Sequence, residues 1–198
     1  MGTCPAGRDD EEMRIISGEF RSRKIVFPKS KLTRPMMDRM KETVFNILGE
    51  AVQGTAVLDL FAGSGSLGLE ALSRGAKKVT FVENGPWAVK TIHQNLEALH
   101  LKKNASVMDK DVLKAIQRLE SKGKIFQLIF LDPPYNQGLV KKILISLEGS
   151  AIVTPLTKIV LHHSRQEKLP ETLERFQVLR EKRFWQACLS FLSGRKIE

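Results

Sequence analysis

Cysteine is scarce in this sequence, and long apolar runs are missing. Cys4 and Cys188 are the only two cysteines among 198 residues. That is too few for a disulfide framework or a four-ligand zinc site, and it favours a reducing compartment. No stretch approaches the roughly 18–20 apolar residues that span a bilayer, and the N-terminus lacks the apolar segment of a secretory signal. These absences predict a soluble cytoplasmic protein.

Acidic residues are in deficit, and the excess positive charge is concentrated near the N-terminus. The chain has 32 Lys and Arg against 22 Asp and Glu, a net charge of +10. Residues 14–42 hold nine bases and three acids, a density typical of a surface that binds phosphate groups. We therefore expect a polyanionic partner, with RNA or DNA foremost. The predicted contacts are Arg21, Arg23, Lys24, Arg34 and Arg39.

The pattern of apolar residues divides the chain into three parts. Residues 1–12 are predicted to be a disordered tail, and residues 13–50 a basic appendage. The appendage is expected to hold a hairpin (residues 14–20 and 23–27), a basic loop (28–35) and a helix (38–48). With 42% hydrophobic residues, the remainder, residues 51–198, is long enough for one ordinary domain.

This main domain alternates predicted strands and helices. The strands are expected over 56–61, 78–83, 105–108, 126–131 and 158–161, and the helices over 67–73, 86–99, 112–119 and 139–147. Two final strands, over 176–182 and 187–192, follow each other closely. The sequence thus predicts an α/β fold with a seven-stranded, mostly parallel sheet, helices on both faces and an antiparallel C-terminal hairpin.

The first motif with chemical content is a glycine-rich loop between the first main strand and its helix. Gly63, Gly65 and Gly68 allow a tight turn and a close approach of ligand to backbone. Their spacing also matches the dinucleotide-binding pattern, so the glycines alone leave a nicotinamide cofactor open. Asp59, just before them, favours S-adenosylmethionine, because a carboxylate repels a pyrophosphate and attracts the ammonium group of a methionine moiety.

Three further residues complete the predicted cofactor site. Glu83 ends the second main strand, where an acid can accept both ribose hydroxyls of an adenosine. Asp111 follows the third strand, where it could accept from the adenine amino group or serve as the N-cap of the next helix. The residues alone leave these two roles for Asp111 equally open. Phe61, the last residue of the predicted strand before the glycine loop, is grouped with Gly63 and Gly65 as a cofactor contact.

The second motif is Asp132-Pro133-Pro134-Tyr135, directly after the most apolar strand. An exocyclic amine of a base has two N–H donors, and the Asp132 carboxylate and the Pro133 carbonyl could each accept one. Tyr135 offers a flat ring on which the base can stack, and its hydroxyl is not expected to matter. Asp132, Pro133 and Tyr135 are therefore the predicted catalytic residues, acting mainly by proximity and orientation.

With these motifs, residues 13–198 resemble the bacterial 16S rRNA (guanine-N2)-methyltransferases of the RsmD type, within the Asp-Pro-Pro-Tyr amino methyltransferases. The more specific resemblance lies in Arg-Ile-Ile-Ser-Gly at 14–18 and Thr-Arg-Pro at 33–35. The resemblance implies a Rossmann-like class I methyltransferase fold, S-adenosylmethionine as methyl donor and a guanine amino group as acceptor. It also implies ribosomal RNA as partner, free or in the assembling small subunit, and a monomer without a metal.

Two features depart from the family pattern. Met36 and Met37 replace small hydroxylated residues, and His162 and His163 stand where an acid is common. Neighbours on a strand point to opposite faces, so a shared metal is disfavoured, and we expect these histidines to contact solvent or RNA.

Three other classes of protein share some of these motifs. A DNA adenine or cytosine amino methyltransferase usually carries a larger target-recognition segment than this chain can supply. A nicotinamide oxidoreductase would need a separate substrate domain. A non-catalytic RNA-binding protein would not need an intact Asp132–Tyr135 motif. The amino methyltransferase acting on DNA or another RNA is the main alternative.

Overall fold

The structure, a computed structural model, describes residues 13–26 and 38–195. The predicted tail, the basic loop and Arg34 lie outside the described residues, as do Cys4, Met36 and Met37. The described chain begins with two short paired strands and a helix. These are β1 (Met13–Arg14), β2 (Lys24–Ile25) and α1 (Asp38–Leu48), followed by a 3₁₀ turn at Gly49–Val52.

Strands and helices then alternate along the chain. They are β3 (Ala56–Leu60), α2 (Ser66–Ser73), β4 (Lys78–Glu83), α3 (Pro86–Ala98), β5 (Ala105–Asp109), α4 (Val112–Ser121), β6 (Leu128–Leu131), α5 (Leu139–Glu148), β7 (Lys158–Ser164), β8 (Phe176–Arg183) and β9 (Ala187–Gly194). The main sheet has seven strands in the order β5-β4-β3-β6-β7-β9-β8. Pairs from β5 through to β7 are parallel, and β9 is antiparallel to both β7 and β8. The predicted α/β fold is confirmed.

Apolar residues on both faces of the sheet build two cores. Helices α1, α2 and α3 cover one face, and α4 and α5 cover the other. Strand β6 is buried along its whole length, which is why its sequence reads as an uninterrupted apolar run. The order of the strands reverses direction between β3 and β6, and such a switch point leaves a crevice at the carboxyl ends of the strands.

The N-terminal hairpin is shorter than predicted, since only Met13–Arg14 and Lys24–Ile25 pair. The reason is that side chains of α2 take the intervening backbone groups. Glu70 accepts from the amides of Ile16 and Ser17 at 2.8 and 3.0 Å, and Ser73 Oγ accepts from the amide of Phe20 at 2.9 Å. The residues between the two short strands therefore form a loop that is hydrogen-bonded to α2, and not a longer hairpin.

A buried polar network fixes this segment beside the glycine loop. The Lys41 ammonium, fully buried on α1, donates to the Arg14 carbonyl at 2.7 Å and to Ser66 Oγ at 3.2 Å, with Glu70 at 3.9 Å. Asn95 on α3 exchanges two hydrogen bonds with the backbone of Val26 and also donates to the carbonyl of Ser64 at 3.0 Å. The N-terminal appendage is thus bonded to the helices and to the glycine loop of the main domain.

Within the described residues, no helix has both the length and the apolar character that crossing a membrane requires.

The buried network yields a stability prediction. Glu70→Ala removes the carboxylate that faces Lys41 and the acceptor of two backbone amides. We expect the free energy of unfolding in urea to fall by about 3 kcal/mol, the lower end of the cost of breaking a buried ion pair. Glu97→Ala is the control, because its ion pair with Lys102 is exposed and should contribute little. Equal effects of the two substitutions would contradict this account.

Candidate active site

The crevice at the switch point is a cavity of about 1320 Å³. Its walls come from the loops that follow β3, β4, β5, β6 and β7. The predicted residues that line it are Asp59, Phe61, Gly63, Glu83, Asp111, Asp132, Pro133 and Tyr135. The fold therefore brings the two separate sequence motifs to one cavity.

The glycine loop turns in the way that its residues allow. Gly63 and Gly65 have φ angles of 55° and 80°, a region that favours glycine. A Cβ on Gly63 would meet nothing within 4 Å, while one on Gly68 would lie 2.3 Å from the Phe81 ring. Gly63 thus leaves open space at the loop, and Gly68 permits close packing of α2 on β4. Gly65 does not line the cavity; it precedes α2 as its N-cap.

Asp59 is buried beneath this loop and has an unusual charge environment. Its Oδ2 accepts from the amide of Gly68 at 2.9 Å. Burial raises the pKa of Asp59 well above its usual value, and the nearby charges of Asp132 and Glu83 act in the same direction, while the Gly68 hydrogen bond opposes them. Two further carboxylates and burial therefore act together on Asp59, so its ionised form is costly unless a cation is bound nearby.

Glu83 organises the loops around the cavity. Its Oε2 accepts from the amide of Gly63 at 2.9 Å, and its Oε1 accepts from the amides of Asn84 and Gly85 at 2.9 and 2.8 Å. This role for Glu83 was missed in the sequence, which suggested only a ribose contact. A carboxylate has about four acceptor positions, so the predicted ribose contact is compatible with these bonds.

The two roles left open for Asp111 are not exclusive. Its Oδ1 accepts from the amides of Leu113 and Lys114 at 3.0 and 3.2 Å, so Asp111 is the N-cap of α4. It also lines the cavity, and the adenine contact stays a prediction.

At the end of β6, Asp132 and Tyr135 are joined through a histidine. His162 Nδ1 lies 2.7 Å from Asp132 Oδ1, and His162 Nε2 lies 2.6 Å from the Tyr135 hydroxyl. The rings of Tyr135 and His162 meet edge to face, with centroids 5.3 Å apart. The sequence did not point to the Tyr135 hydroxyl, which here has a specific partner.

The expectation that His162 and His163 contact solvent or RNA is wrong. Both are buried, with 6% and 4% of their surface exposed. The physical reason is that β7 does not end at residue 161. It continues to Ser164, and residues 162–164 stay paired with β9, so both histidines belong to the sheet and not to an exposed loop. The His162 ring reaches the cavity, and His163 lies in a second group of polar side chains.

That second group combines His163, Glu181 and Cys188, whose potential ligand atoms lie within 4.8 Å of one another. The Ser190 hydroxyl stands among them, 2.9 Å from His163 Nε2, 3.4 Å from Glu181 Oε1 and 3.9 Å from Cys188 Sγ. Burial lowers the pKa of His163 and raises that of Cys188. Within the described residues, a hydroxyl therefore already bridges the group by hydrogen bonds.

The described basic residues that are predicted to bind nucleic acid lie outside the cavity lining. Arg21, Arg23, Lys24 and Arg39 are exposed, and one guanidinium nitrogen of Arg23 donates to the carbonyl of Ala98 at 3.3 Å. Their RNA contacts stay a prediction. Two exposed aromatic residues, Trp87 and Trp185, also line the cavity. Neither was singled out from the sequence.

Comparison with known proteins shows the family of the chain. The family model described as Conserved hypothetical protein 95 matches residues 13–193. The chain is 37% identical to ribosomal RNA small subunit methyltransferase D of Haemophilus influenzae over 86% of this chain and 88% of that protein. It is 35% identical to the Escherichia coli protein of the same name over 86% and 84% of the two chains.

Solved structures share the fold. The hypothetical protein TTHA0928 of Thermus thermophilus superposes with a TM-score of 0.77 at 27% identity, over 90% of this chain and 98% of that one. SMU.776, solved in complex with SAH, matches with a TM-score of 0.64 at 16% identity, over 80% and 50% of the two chains. This likeness shows the fold. The family match and the curated relatives together show that the chain belongs to the ribosomal RNA small subunit methyltransferase D family.

Proposed function

We propose that this protein transfers a methyl group from S-adenosylmethionine to the exocyclic N2 amino group of a guanine in 16S ribosomal RNA. The observation that carries the proposal is the placement of Asp132 and Tyr135 in the same cavity as the glycine loop. A base held by Asp132 and Tyr135 would thus lie next to a cofactor held by the glycine loop. Family membership supports ribosomal RNA as the substrate class.

The charge of the cavity supports the cofactor. S-adenosylmethionine carries an ammonium and a sulfonium, and it supplies, when bound, an electrophilic methyl group. The charges of Glu83 and Asp132 disfavour the ionised form of Asp59, and a cationic ligand would offset that effect. The pyrophosphate of a nicotinamide dinucleotide would add to it. Asp59 and the glycine loop would hold the methionine part, and Glu83 with Asp111 would hold the adenosine part.

Asp132 and Pro133 would hold the target amine. Each can accept one of its two N–H groups, which turns the nitrogen lone pair towards the methyl group. The amine nitrogen would take the methyl carbon, and the electron pair of the broken carbon–sulfur bond would stay on sulfur. The nitrogen would then have to lose a proton, and the Asp132 carboxylate that holds the amine would be the base that accepts it. The Tyr135 ring would support the base by stacking.

The function is tested by transfer of labelled methyl from S-adenosylmethionine to small-subunit RNA, followed by nucleoside analysis. We expect N2-methylguanosine as the product. Free RNA and partly assembled small subunits, tested side by side, distinguish the two forms of the substrate. Methylated adenine or cytosine as the sole product would replace the guanine assignment by the alternative amino methyltransferase function.

Asp59→Asn tests the cofactor site. Loss of the charge should weaken binding of S-adenosylhomocysteine roughly tenfold or more by calorimetry, the order of one charged hydrogen bond. The same substitution should stabilise the ligand-free protein at neutral pH. Because the pKa of Asp59 is raised on folding, the folded state binds this proton more tightly than the unfolded state. Its contribution to stability is therefore lost as pH rises through the raised pKa.

Ligand-free Asp59→Asn should accordingly melt at a higher temperature than the wild type at neutral pH. The difference should shrink as the pH is lowered through the raised pKa of Asp59. Unchanged affinity for S-adenosylhomocysteine, or tight binding of NAD, would argue against this cofactor site.

Asp132→Ala tests the grip on the amine. We expect the methyl transfer rate to fall by about 10²–10³, by analogy with the loss of one preorganised hydrogen-bonding group at a reacting centre. Affinity for S-adenosylhomocysteine should stay close to that of the wild type. If Asp132 only stabilised the turn after β6, the melting temperature and the activity of Asp132→Ala would fall together. Wild-type turnover of Asp132→Ala would contradict the proposal that Asp132 holds the amine.

Charge reversal at Arg21, Arg23 and Lys24 tests the RNA surface. For every phosphate interaction removed, the slope of log affinity against log salt concentration should fall by about one unit. Lys122→Glu is the control, since this exposed lysine lies at the end of α4 remote from the cavity. Affinity for S-adenosylhomocysteine should be measured in parallel, because Met13 on the same hairpin contacts Ser64 of the glycine loop. An unaltered slope would mean that RNA binds elsewhere.

A further inference from the structure

One buried imidazole connects the two side chains that the proposed reaction uses. The His162 side chain is 8% exposed and that of Asp132 is 21% exposed. Both ring nitrogens of His162 are engaged, Nδ1 with Asp132 Oδ1 at 2.7 Å and Nε2 with the Tyr135 hydroxyl at 2.6 Å. Polar atoms at these distances form strong hydrogen bonds.

The Asp132 carboxylate fixes the direction of one bond, and the charge of the imidazole fixes the direction of the other. An ionised carboxylate can only accept, so Nδ1 of His162 carries the proton towards Asp132. In the neutral imidazole Nε2 is then an acceptor, and the Tyr135 hydroxyl donates to it. The chain therefore runs from the Tyr135 hydroxyl through His162 to Asp132, with each donor matched to an acceptor.

This series of hydrogen bonds leaves one carboxylate oxygen and one aromatic ring for the substrate. Among the described residues, the Asp132 carboxylate is hydrogen-bonded through Oδ1, so Oδ2 is the oxygen available to an amine. The Tyr135 ring is tethered by its hydroxyl and stands at 77° to the His162 ring, which keeps its plane fixed at the cavity. The same imidazole thus sets the orientation of the amine acceptor and of the stacking ring.

The fold itself does not depend on this imidazole. Strand β7 is paired with β9 along its whole length and with β6 over residues 158–161. His162 therefore lies just past the pairing with β6, on a strand that β9 still holds, and its ring contacts the loop that follows β6. Asn136, next to Tyr135, has a φ of 57°, in the left-handed region that Asn adopts more readily than most residues, so Tyr135 lies beside a sharp turn that such a tether would help to hold.

We propose that His162 is a positioning residue for methyl transfer, which aligns Asp132 and Tyr135 on the same target base. The inference rests on the proposed amine methylation, but not on which base carries the amine. It gives the Tyr135 hydroxyl a role as the anchor of the ring, in contrast to the expectation from sequence that only the ring face matters.

The test compares His162→Ala, Tyr135→Phe and the double variant with the wild type. His162→Ala should lower kcat roughly 10²-fold, the cost of a misplacement of about 1 Å at a reacting centre, with affinity for S-adenosylhomocysteine unchanged. Tyr135→Phe should lower kcat by a smaller factor. The double variant should be no slower than His162→Ala, because residues that act as a unit are not additive.

Added imidazole should restore part of the kcat of His162→Ala, by filling the space that the substitution opens, and should do nothing for Asp132→Ala. His163→Gln is the matched control, since it is the buried neighbour on the same strand outside the cavity lining. Its kcat should stay near the wild-type value. Wild-type kcat in His162→Ala, or a loss that follows melting temperature and ignores imidazole, would overturn the proposal.

Nuclear magnetic resonance of the four histidines, labelled with ¹⁵N, gives a readout that needs no RNA. The signal that disappears in His162→Ala should report the Nδ1–H tautomer and should shift in Tyr135→Phe. The other tautomer, or no response to Tyr135→Phe, would contradict the proposed hydrogen bonds from Tyr135 through His162 to Asp132. If the product proves to be a methylated adenine, the guanine assignment fails while the effects of His162 on kcat persist, so the two proposals are separable.

Discussion

The parallel pairing of β3 with β6 is the interaction on which the active site depends. Asp59 pairs with Phe130 and Leu60 with Leu131, and the amide of Asp132 then lies 3.4 Å from the carbonyl of Leu60. The glycine loop and the Asp132–Tyr135 motif follow these strands directly. A register shift of one residue would turn every side chain of β6 to the other face. It would thereby separate the Asp132 carboxylate from the glycine loop.

Asp59 is a buried carboxylate whose ionised form is disfavoured. Its burial and the nearby charges of Asp132 and Glu83 raise its pKa, so a ligand-free site favours the protonated form. A carboxylate buried near like charges is typical of a site that binds a cation. The rest of the loop compensates locally, since the amides of Gly63 and Gly68 donate to Glu83 and Asp59.

The N-terminal segment is part of this arrangement rather than an attachment to it. Glu70 and Lys41 tie the segment to α1 and α2, and Asn95 ties β2 to the glycine loop. A basic surface is thus built on the same helices that shape the cofactor loop. RNA bound at Arg21 or Lys24 would lie on an element rigidly connected to the site, which suits an enzyme that must place one base among many.

The sequence by itself determined the architecture, because apolar periodicity, the glycine loop and the apolar run of β6 are local signals of buried parallel strands and of the turns between them. The same signals placed Asp59, Glu83 and Asp132 at strand ends, where they share one edge of the sheet. Sequence could not determine the length of the N-terminal hairpin, because its amides bond to Glu70 and Ser73 more than fifty residues away. Nor could it assign His162 to the site. That depended on β7 running on to Ser164 and on the spatial approach of residues 132, 135 and 162, which only the pairing of β6 with β7 brings about.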